Sequence, residues 1–242
     1  MMITSIIDYF DETVGKYFDK EAVIDDTNSL SFNALSVEAK KVAGAIVDIL
    51  GTERNKIIGV YLPKSEDTVI ADIGIAYSSN AFMNLDVKTP QNRVEAIVAH
   101  SEPAIILTNQ KLKVTLSDII RNAKSNTLLI TIDELKVMPQ IDSDKENLLY
   151  DRLNKQIDTD PCCIINTSGS TGIPKGVILN HKSFFDFLAW SVETFDLGDK
   201  TIAGSLSPSV FDIFIMNYGS WRERERHLYF LMRIWLVFQL NC

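Results

Sequence analysis

Short apolar segments alternate with longer amphipathic segments along most of this chain. Apolar residues spaced three and four apart predict helices over 3–18, 36–50, 65–77, 90–101, 111–122 and 181–195. Compact apolar runs predict strands over 22–25, 30–32, 56–62, 81–85, 104–108, 127–132, 162–166 and 177–179. Strands that alternate with helices build a parallel or mixed sheet covered on both faces. The sequence therefore predicts an α/β fold with mixed or parallel sheets flanked by helices.

Two regions depart from this alternation. Residues 133–159 are polar and lack a clear period, so we predict mostly loop there. From Trp221 to the last residue the chain has four arginines, no lysine and two of its three tryptophans. This segment is either an amphipathic C-terminal helix or the product of a reading-frame break or truncation near Gly219. An intact upstream frame that runs to the same stop in several isolates would exclude the second interpretation.

Charge and composition exclude several classes of protein. The chain has 24 Lys and Arg against 32 Asp and Glu, and its net charge of −8 lacks the broad basic footprint of a nucleic-acid binder. No run approaches the roughly 20 apolar residues of a membrane span. Asp8 comes too early for the apolar run of a signal peptide, and the three cysteines are too few for a disulfide framework. We therefore expect a cytoplasmic protein with neither nucleic acid nor membrane as a partner.

One loop carries the chemistry that the sequence suggests. The segment from Thr167 to Gly176 reads T-S-G-S-T-G-I-P-K-G and combines three glycines, four hydroxyls and one lysine. Glycines let backbone N–H groups approach an anion, and successive N–H groups in such turns form an anion-binding nest. The hydroxyls add donors, and Lys175 adds a positive charge. Together these groups suit a polyphosphate.

Other glycine-rich motifs do not match this loop. A Walker A motif needs a Gly-Lys pair followed by a hydroxyl, and the dinucleotide fingerprint needs G-x-G-x-x-G; neither occurs here. A plain Ser/Gly loop between two strands is the alternative without function. An ordered string of ten residues is more specific than such a loop.

The string resembles the phosphate-binding signature of the adenylate-forming (AMP-binding) enzymes. These include acyl-CoA synthetases, adenylation domains of peptide synthetases and D-alanine–carrier-protein ligases. Weaker resemblances stand around it in the family's order: Leu30–Leu35 (LSFNAL), Ala76-Tyr77 with Asn84-Leu85-Asp86 and then Pro90 and Arg93, and Ser207–Asp212 (SPSVFD). Ala76 and Asn84 depart from the residues common in the family, and Phe214 replaces a serine. The resemblance covers residues 5–220, which would be an N-terminal part of the family's large domain, and leaves 221–242 as an atypical tail.

The resemblance implies a reaction and a set of site residues. A carboxylate attacks the α-phosphate of Mg-ATP to give an acyl-adenylate and pyrophosphate, and a thiol of coenzyme A or of a carrier protein then takes the acyl group. ATP and Mg²⁺ are thus the implied cofactors, with no metal ligand assigned in this chain. Lys175 would be catalytic, because it would offset charge on the leaving pyrophosphate. The residues implied to bind the nucleotide's phosphates are Thr167, Ser168, Gly169, Ser170, Thr171, Gly172, Lys175 and Gly176.

Asp212 is the main indication of the substrate. In family members that activate amino acids, the matching aspartate pairs with the substrate's α-ammonium group, and Phe211 would form part of the pocket wall. An aspartate at the start of a helix, stabilised by the helix dipole, is the alternative. His181 either approaches the substrate or caps the helix that follows it.

The resemblance leaves three functions open. The chain is a fragment of an amino-acid-activating ligase that acts with a carrier protein, a fragment of an acyl-CoA synthetase for fatty or aryl acids, or a non-catalytic nucleotide-binding remnant. The family's segments for adenine, ribose and the C-terminal catalytic lysine are missing from these 242 residues. We therefore expect the chain alone to show little or no pyrophosphate exchange.

Overall fold

The computed structural model describes residues 4–25, 28–167, 174–196, 202–205, 207–210 and 233–236. The helices of this part are α1 (Ile6–Lys16), α2 (Phe32–Leu50), α3 (Glu66–Tyr77), α4 (Gln91–Ser101), α5 (Lys113–Asn122), α6 (Ile132–Lys136), α7 (Ser143–Leu153) and α8 (His181–Phe195). The strands are β1 (Glu21–Ile24), β2 (Ser29–Ser31), β3 (Ile57–Val60), β4 (Ala81–Asn84), β5 (Ile105–Thr108), β6 (Leu128–Thr131), β7 (Pro161–Thr167), β8 (Lys175–Asn180), β9 (Ile202–Ser205) and β10 (Arg233–Leu236).

A six-stranded sheet forms the centre of the fold. Its strand order is β6-β5-β3-β4-β7-β8, and every neighbouring pair is parallel except β7 with β8. In this sheet Ile58 lies beside Phe82 and Ile105, and Phe82 lies beside Cys163. The carboxyl ends of β3, β4, β5, β6 and β7 therefore share one edge. The predicted mixed sheet is confirmed.

Helices cover both faces of this sheet. Ile105 and Leu107 of β5 pack into one apolar cluster with α1, α2 and α3, whereas Ile106 between them packs into a second cluster with α4 and α5. Successive strand residues point to opposite faces, so a strand covered on both sides is apolar throughout. That is why the strand segments read as continuous apolar runs, and it confirms the predicted α/β class.

A smaller four-stranded sheet has the order β2-β1-β10-β9. β1 is antiparallel to β2 and parallel to β10, and β10 is parallel to β9. β10 belongs to the tail of atypical composition, where a helix was one of the two alternatives. Residues 233–236 instead form a strand between β1 and β9, because the backbone groups of both neighbours pair with it.

The prediction of a mostly irregular segment over 133–159 is wrong. Two helices, α6 and α7, occupy much of it. α7 begins where Asp142 caps it, with Oδ1 accepting a hydrogen bond from the backbone N of Lys145 at 2.8 Å. Its buried positions are Leu149, Arg152 and Leu153. Only two of these are apolar, so the segment lacked the periodicity that predicts a helix.

Elsewhere, local signals place the helix ends. Ser31 caps α2, its hydroxyl accepting from the backbone N of Ala34 at 3.1 Å, so this helix begins at Phe32 rather than at residue 36. Phe32 and Leu35 are both buried in the core. The LSFNAL element is therefore the junction of β2 with α2. Gly51 ends α2 with a φ of +58°, as its position predicts.

Candidate active site

The candidate phosphate loop connects β7 to β8 at the carboxyl edge of the large sheet. Thr167 and Lys175 are paired residues of this antiparallel hairpin, and the Thr167 hydroxyl donates to the Lys175 carbonyl oxygen at 3.2 Å. Both residues are exposed. Ligands of open α/β sheets bind outside the carboxyl ends of the strands. The hairpin thus places Lys175 at the edge of the sheet where such a ligand would lie.

Gly176 is a place where this hairpin admits no side chain. A Cβ atom built on Gly176 would lie 2.9 Å from Cγ2 of Ile164 in β7. Because Ile164 belongs to the packed core, it has little room to move away. Gly176 is therefore needed for close strand packing beside the loop, which adds a structural role to the predicted phosphate contact.

Several predicted site residues lie outside the described part of the chain. Of the loop, these are Ser168, Gly169, Ser170, Thr171 and Gly172. The predicted substrate residues Phe211 and Asp212 also lie outside it, and the description of that segment stops at Val210. Thr167, Lys175 and Gly176 are therefore the predicted site residues with a known place, and all three lie together on one hairpin.

Two polar residues at the carboxyl edge form buried hydrogen bonds that the sequence did not predict. Asn84, the last residue of β4, donates through Nδ2 to the Asp72 carboxylate at 2.9 Å, and both side chains are buried. Thr108, the last residue of β5, donates to the carbonyl oxygen of Tyr61 at 2.9 Å. An aspartate in the middle of an otherwise apolar helix is the signal that could have identified the first pair, because a buried carboxylate requires a donor.

His181 does not cap the helix that it begins. Asn180 caps α8, its Oδ1 accepting from the backbone N of Ser183 at 2.8 Å. His181 is fully buried, and its Nδ1 accepts from the backbone N of Ile6 at 3.3 Å. A neutral ring whose Nδ1 accepts carries its proton on Nε2, which lies 2.8 Å from the Gln156 amide nitrogen. Because an amide nitrogen cannot accept, this pair forms a hydrogen bond with the Gln156 amide turned so that its unpartnered oxygen faces the ring. His181 therefore joins α8 to the start of α1 and to the chain after α7.

Burial lowers the pKa of His181 to about 4, although Asp160 and Asp158 oppose the shift. The unfolded chain binds a proton on this histidine below pH 6.5, and the folded chain does so only near pH 4. The contribution to stability is complete above pH 6.5 and is lost as the pH falls through this window. We expect a loss of about 3 kcal/mol, measured by urea unfolding as the difference between wild type and His181→Gln.

The exposed His100 is the matched control. His100→Gln should change the free energy of unfolding at neutral pH by less than about 0.5 kcal/mol, as expected for an exposed position. A His181→Gln variant whose slope between pH 4 and 6.5 equals that of the wild type would contradict the assignment of a buried neutral imidazole.

A second polar cluster lies among α1, α2, α3 and α7. The Asp11 carboxylate accepts from the hydroxyls of Tyr77 and Tyr150, the latter at 3.0 Å. Desolvation raises the pKa of Asp11, against the lowering effect of the Tyr77 hydrogen bond and of the Lys40 charge. The Lys40 ammonium lies 5.5 Å from the centre of the Tyr77 ring. These groups satisfy one another and tie four helices together, so we assign the cluster to packing.

In the described ranges, no group of three or more His, Cys, Asp or Glu side chains is placed to hold a metal ion. The helices of the same ranges include none that is both long and apolar enough to cross a membrane.

Sequence comparison finds relatives among peptide synthases. Tyrocidine synthase 1 of Brevibacillus parabrevis is 26% identical over 208 residues, which is 86% of this chain and 18% of that protein. Gramicidin S synthase 2 of Brevibacillus brevis is 30% identical over 182 residues, 75% of this chain and 4% of that protein. The chain thus spans less than a fifth of the length of either relative.

Solved structures share the fold. VinN in complex with L-aspartate superposes with a TM-score of 0.72 at 18% identity, over 95% of this chain and 61% of that one. The AMPPNP-bound form of the nonribosomal peptide synthetase FmoA3 gives a TM-score of 0.75 at 18% identity, over 98% of this chain and 23% of that one. The predicted architecture, the N-terminal part of an adenylate-forming domain, is confirmed.

The model of one protein family, described as AMP-binding enzyme, matches residues 10–220. That range contains the β7–β8 hairpin, both polar pairs at the carboxyl edge and the whole of the six-stranded sheet. The chain belongs to the AMP-binding enzyme family.

Proposed function

We propose that this chain supplies the phosphate-binding loop of an enzyme that activates a carboxylic acid with ATP. The acid's carboxylate attacks the α-phosphate, which yields an acyl-adenylate and pyrophosphate, and a carrier-protein thiol then accepts the acyl group. The single observation that carries the proposal is the β7–β8 hairpin, which places Lys175 at the carboxyl edge of the sheet. Its position within the family match and the AMPPNP-bound structural neighbour support ATP as the nucleotide.

An amino acid is the acid that the comparisons favour. The relatives include synthases of peptides, and VinN forms a complex with L-aspartate. Within this chain, Asp212 would pair with the α-ammonium group, and Phe211 would contribute to the pocket. A carboxylate that lines an apolar pocket needs a cation, because an unpaired buried charge is costly.

The loop's contribution is electrostatic. Lys175 would stabilise negative charge on the β- and γ-phosphates, and the charge on pyrophosphate as it leaves. Thr167, Ser168, Ser170 and Thr171 would donate hydroxyl hydrogen bonds to phosphate oxygens, as the resemblance implies. Mg²⁺ would enter with the nucleotide, because it is commonly bound through substrate phosphates and retained waters.

Replacing Lys175 by methionine tests this role. We expect Lys175→Met to weaken ATP binding by about tenfold to a hundredfold, since a hydrogen bond to a charged group contributes about 1.5–3 kcal/mol. AMP has neither a β- nor a γ-phosphate, so its affinity should stay within about twofold of the wild type. Isothermal titration calorimetry with ATP and with AMP, both in the presence of Mg²⁺, measures the two effects.

Lys155 provides the control. It is exposed on the chain that leads into the amino end of β7, so Lys155→Met removes the same charge far from the loop. Its ATP affinity should equal that of the wild type. Equal losses of ATP and AMP affinity in Lys175→Met, or no loss of either, would contradict the proposed loop.

An acyl-CoA synthetase acting on a fatty or aryl acid is the second candidate within the same enzyme class. Asp212 separates the two candidates, because an amino acid brings the α-ammonium group that an aspartate can bind and a fatty acid does not. In calorimetry with an amino acid and with ATP as separate titrants, Asp212→Ala should weaken the binding of the amino acid and leave the affinity for ATP unchanged. Weak ATP binding with no pyrophosphate exchange and no binding of any acid supplied would instead favour a nucleotide-binding remnant.

We further propose that residues 5–220 form the partial adenylation domain and that 221–242 are an atypical tail. The change in composition at Trp221 supports this division. Sequencing the locus in all three frames beyond codon 242 tests whether a reading-frame break produced the tail.

A further inference from the structure

We propose that Lys64 is a positioning residue, which holds the segment leading to Phe211 and Asp212 at the carboxyl edge of the six-stranded sheet. The inference rests on the proposed function, in which that segment binds the amino acid. It adds a residue to which neither the loop motif nor the substrate motif pointed.

The Lys64 ammonium group joins the two sheets of the fold. Lys64 lies between the end of β3 and the start of α3, and its Nζ donates to the carbonyl oxygens of Ser205 and Ser207, the latter at 3.0 Å. Ser205 is the last residue of β9 in the four-stranded sheet. One side chain therefore connects the chain that follows β3 with the carboxyl end of β9. Its contact at Ser207 lies four residues before Phe211, and Ser209 between them is buried.

The location of Lys64 is an unfavourable one for a cation. Lys64 directly precedes Ser65, the N-cap of α3, and the positive end of a helix dipole repels an ammonium group. Burial lowers the pKa of Lys64, because removing water from the ammonium group disfavours its charged form. The nearby carboxylates of the first turn, Glu66 and Asp67, form ion pairs with Lys136. The two carbonyl oxygens thus act as the acceptors that hold the Lys64 charge in place.

The backbone that carries Lys64 is itself fixed. The carbonyl oxygen of Pro63 accepts hydrogen bonds from the hydroxyls of Ser65 and Thr68, at 3.1 and 3.0 Å. The α3 helix that follows is buried along its length. Because the core fixes the backbone of Lys64, the hydrogen bonds of its side chain can fix the position of Ser205 and Ser207.

The strand order places the contact of Lys64 with Ser205 and Ser207 near the proposed phosphate loop. β3 and β7 are separated only by β4, so their carboxyl ends lie about 10 Å apart in the hydrogen-bonding direction. Lys64 therefore fixes Ser205 and Ser207, which precede the proposed substrate residues in the chain, near the carboxyl edge at which β7 ends. The proposed reaction needs a carboxylate held at the α-phosphate, and an error of about 1 Å in such a placement can cost a hundredfold in rate.

The test measures two ligands separately. Calorimetry gives the Kd of AMPPNP, and saturation-transfer NMR in the presence of AMPPNP gives the binding of the 20 proteinogenic amino acids. We expect Lys64→Met to weaken amino-acid binding at least about tenfold and to leave the AMPPNP Kd within about twofold. Lys64→Arg, which retains charged donors, should restore part of the amino-acid binding, and Lys155→Met should match the wild type in both measurements.

The outcomes distinguish this proposal from the proposed function. A wild-type chain that binds no AMPPNP overturns both. Binding of AMPPNP without any amino acid overturns the Lys64 assignment alone, as does unchanged amino-acid binding in Lys64→Met. If Lys64→Met weakened the binding of AMPPNP and of amino acids equally, or if Lys64→Arg restored no amino-acid binding, Lys64 would have a general structural role instead. If Lys64→Met does not fold, the test uses Lys64→Gln and measures the hydrogen exchange of the backbone amides of residues 202–205. We expect faster exchange in that strand than in the wild type, and unchanged exchange would contradict the clamp that Lys64 forms on Ser205 and Ser207.

Discussion

Replacing Arg152 by methionine should lower the free energy of unfolding by about 3 kcal/mol, because it removes charged hydrogen bonds from three carbonyl groups, of which that of Ser78 is buried. Arg152 is 4% exposed. Its guanidinium donates to the carbonyl oxygen of Gly51 at 2.8 Å, to that of Ser78 at 3.0 and 3.2 Å, and to that of Glu53. Methionine retains the apolar stem and none of the donors. Urea unfolding followed by circular dichroism measures the loss.

The acceptors explain why an arginine is tolerated inside this fold. Gly51 and Ser78 are the C-terminal caps of α2 and α3, where carbonyl groups lack partners within the helix and the dipole is negative. Burial, with the nearby Arg54 charge, lowers the pKa of Arg152. One side chain of α7 thus caps two helices of the core and fixes α7 against them.

Arg121 is the matched control for this prediction. Its side chain is 73% exposed and pairs with Asp118 at 2.6 Å on the surface of α5. Arg121→Met should change the stability by less than about 1 kcal/mol. If Arg152→Met were as mild as Arg121→Met, the capping role would be wrong. Arg152→Lys should fall between wild type and methionine, since it retains the charge without the forked donors.

Replacing Gly74 by alanine should lower the free energy of unfolding by about 3 kcal/mol, at the upper end of the range for overpacking. A Cβ atom on Gly74 would lie 2.6 Å from Cβ of Val42 and 2.7 Å from the carbonyl oxygen of Ala39. Both atoms belong to α2, which crosses α3 here. Because one obstacle is backbone, a rotamer change cannot relieve the contact, and the two helices would have to separate.

Gly15 in α1 is the control for this substitution. Nothing lies within 4 Å of a Cβ atom built there. Alanine has a higher helix propensity than glycine, so Gly15→Ala should be neutral or stabilise by up to about 1 kcal/mol. Thermal unfolding of both variants checks the pair. A Gly74→Ala variant as stable as Gly15→Ala would exclude the close crossing of α2 and α3.

The elements with a strong local signal were predictable. The inner strands β3, β4 and β5 of the central sheet are almost wholly apolar because both of their faces are covered, and the ends of α2 are marked by Ser31 and Gly51. The candidate phosphate loop was recognised from its own ten residues, because the chemistry of an anion site needs glycines, hydroxyls and a cation close together in sequence. None of these inferences required knowledge of a distant contact.

The segment that became α7 shows where this reasoning fails. Its buried face consists of Leu149, Arg152 and Leu153, so one of the three positions reads as a surface charge. The carbonyl groups that make the burial of Arg152 favourable belong to Gly51, Glu53 and Ser78, about 75–100 residues earlier in the chain. The pattern of neighbouring residues cannot predict hydrogen-bond partners that lie so far away in sequence.

The same limit applies to the individual polar residues. The class of fold, the alternation of its elements and the nature of the phosphate loop follow from neighbouring residues, because periodicity and turn chemistry are local properties. The buried state of His181, the capping by Arg152 and the clamp by Lys64 follow from contacts between residues far apart in sequence. A histidine, arginine or lysine acquires such a role when folding brings it next to a specific acceptor and removes water from both.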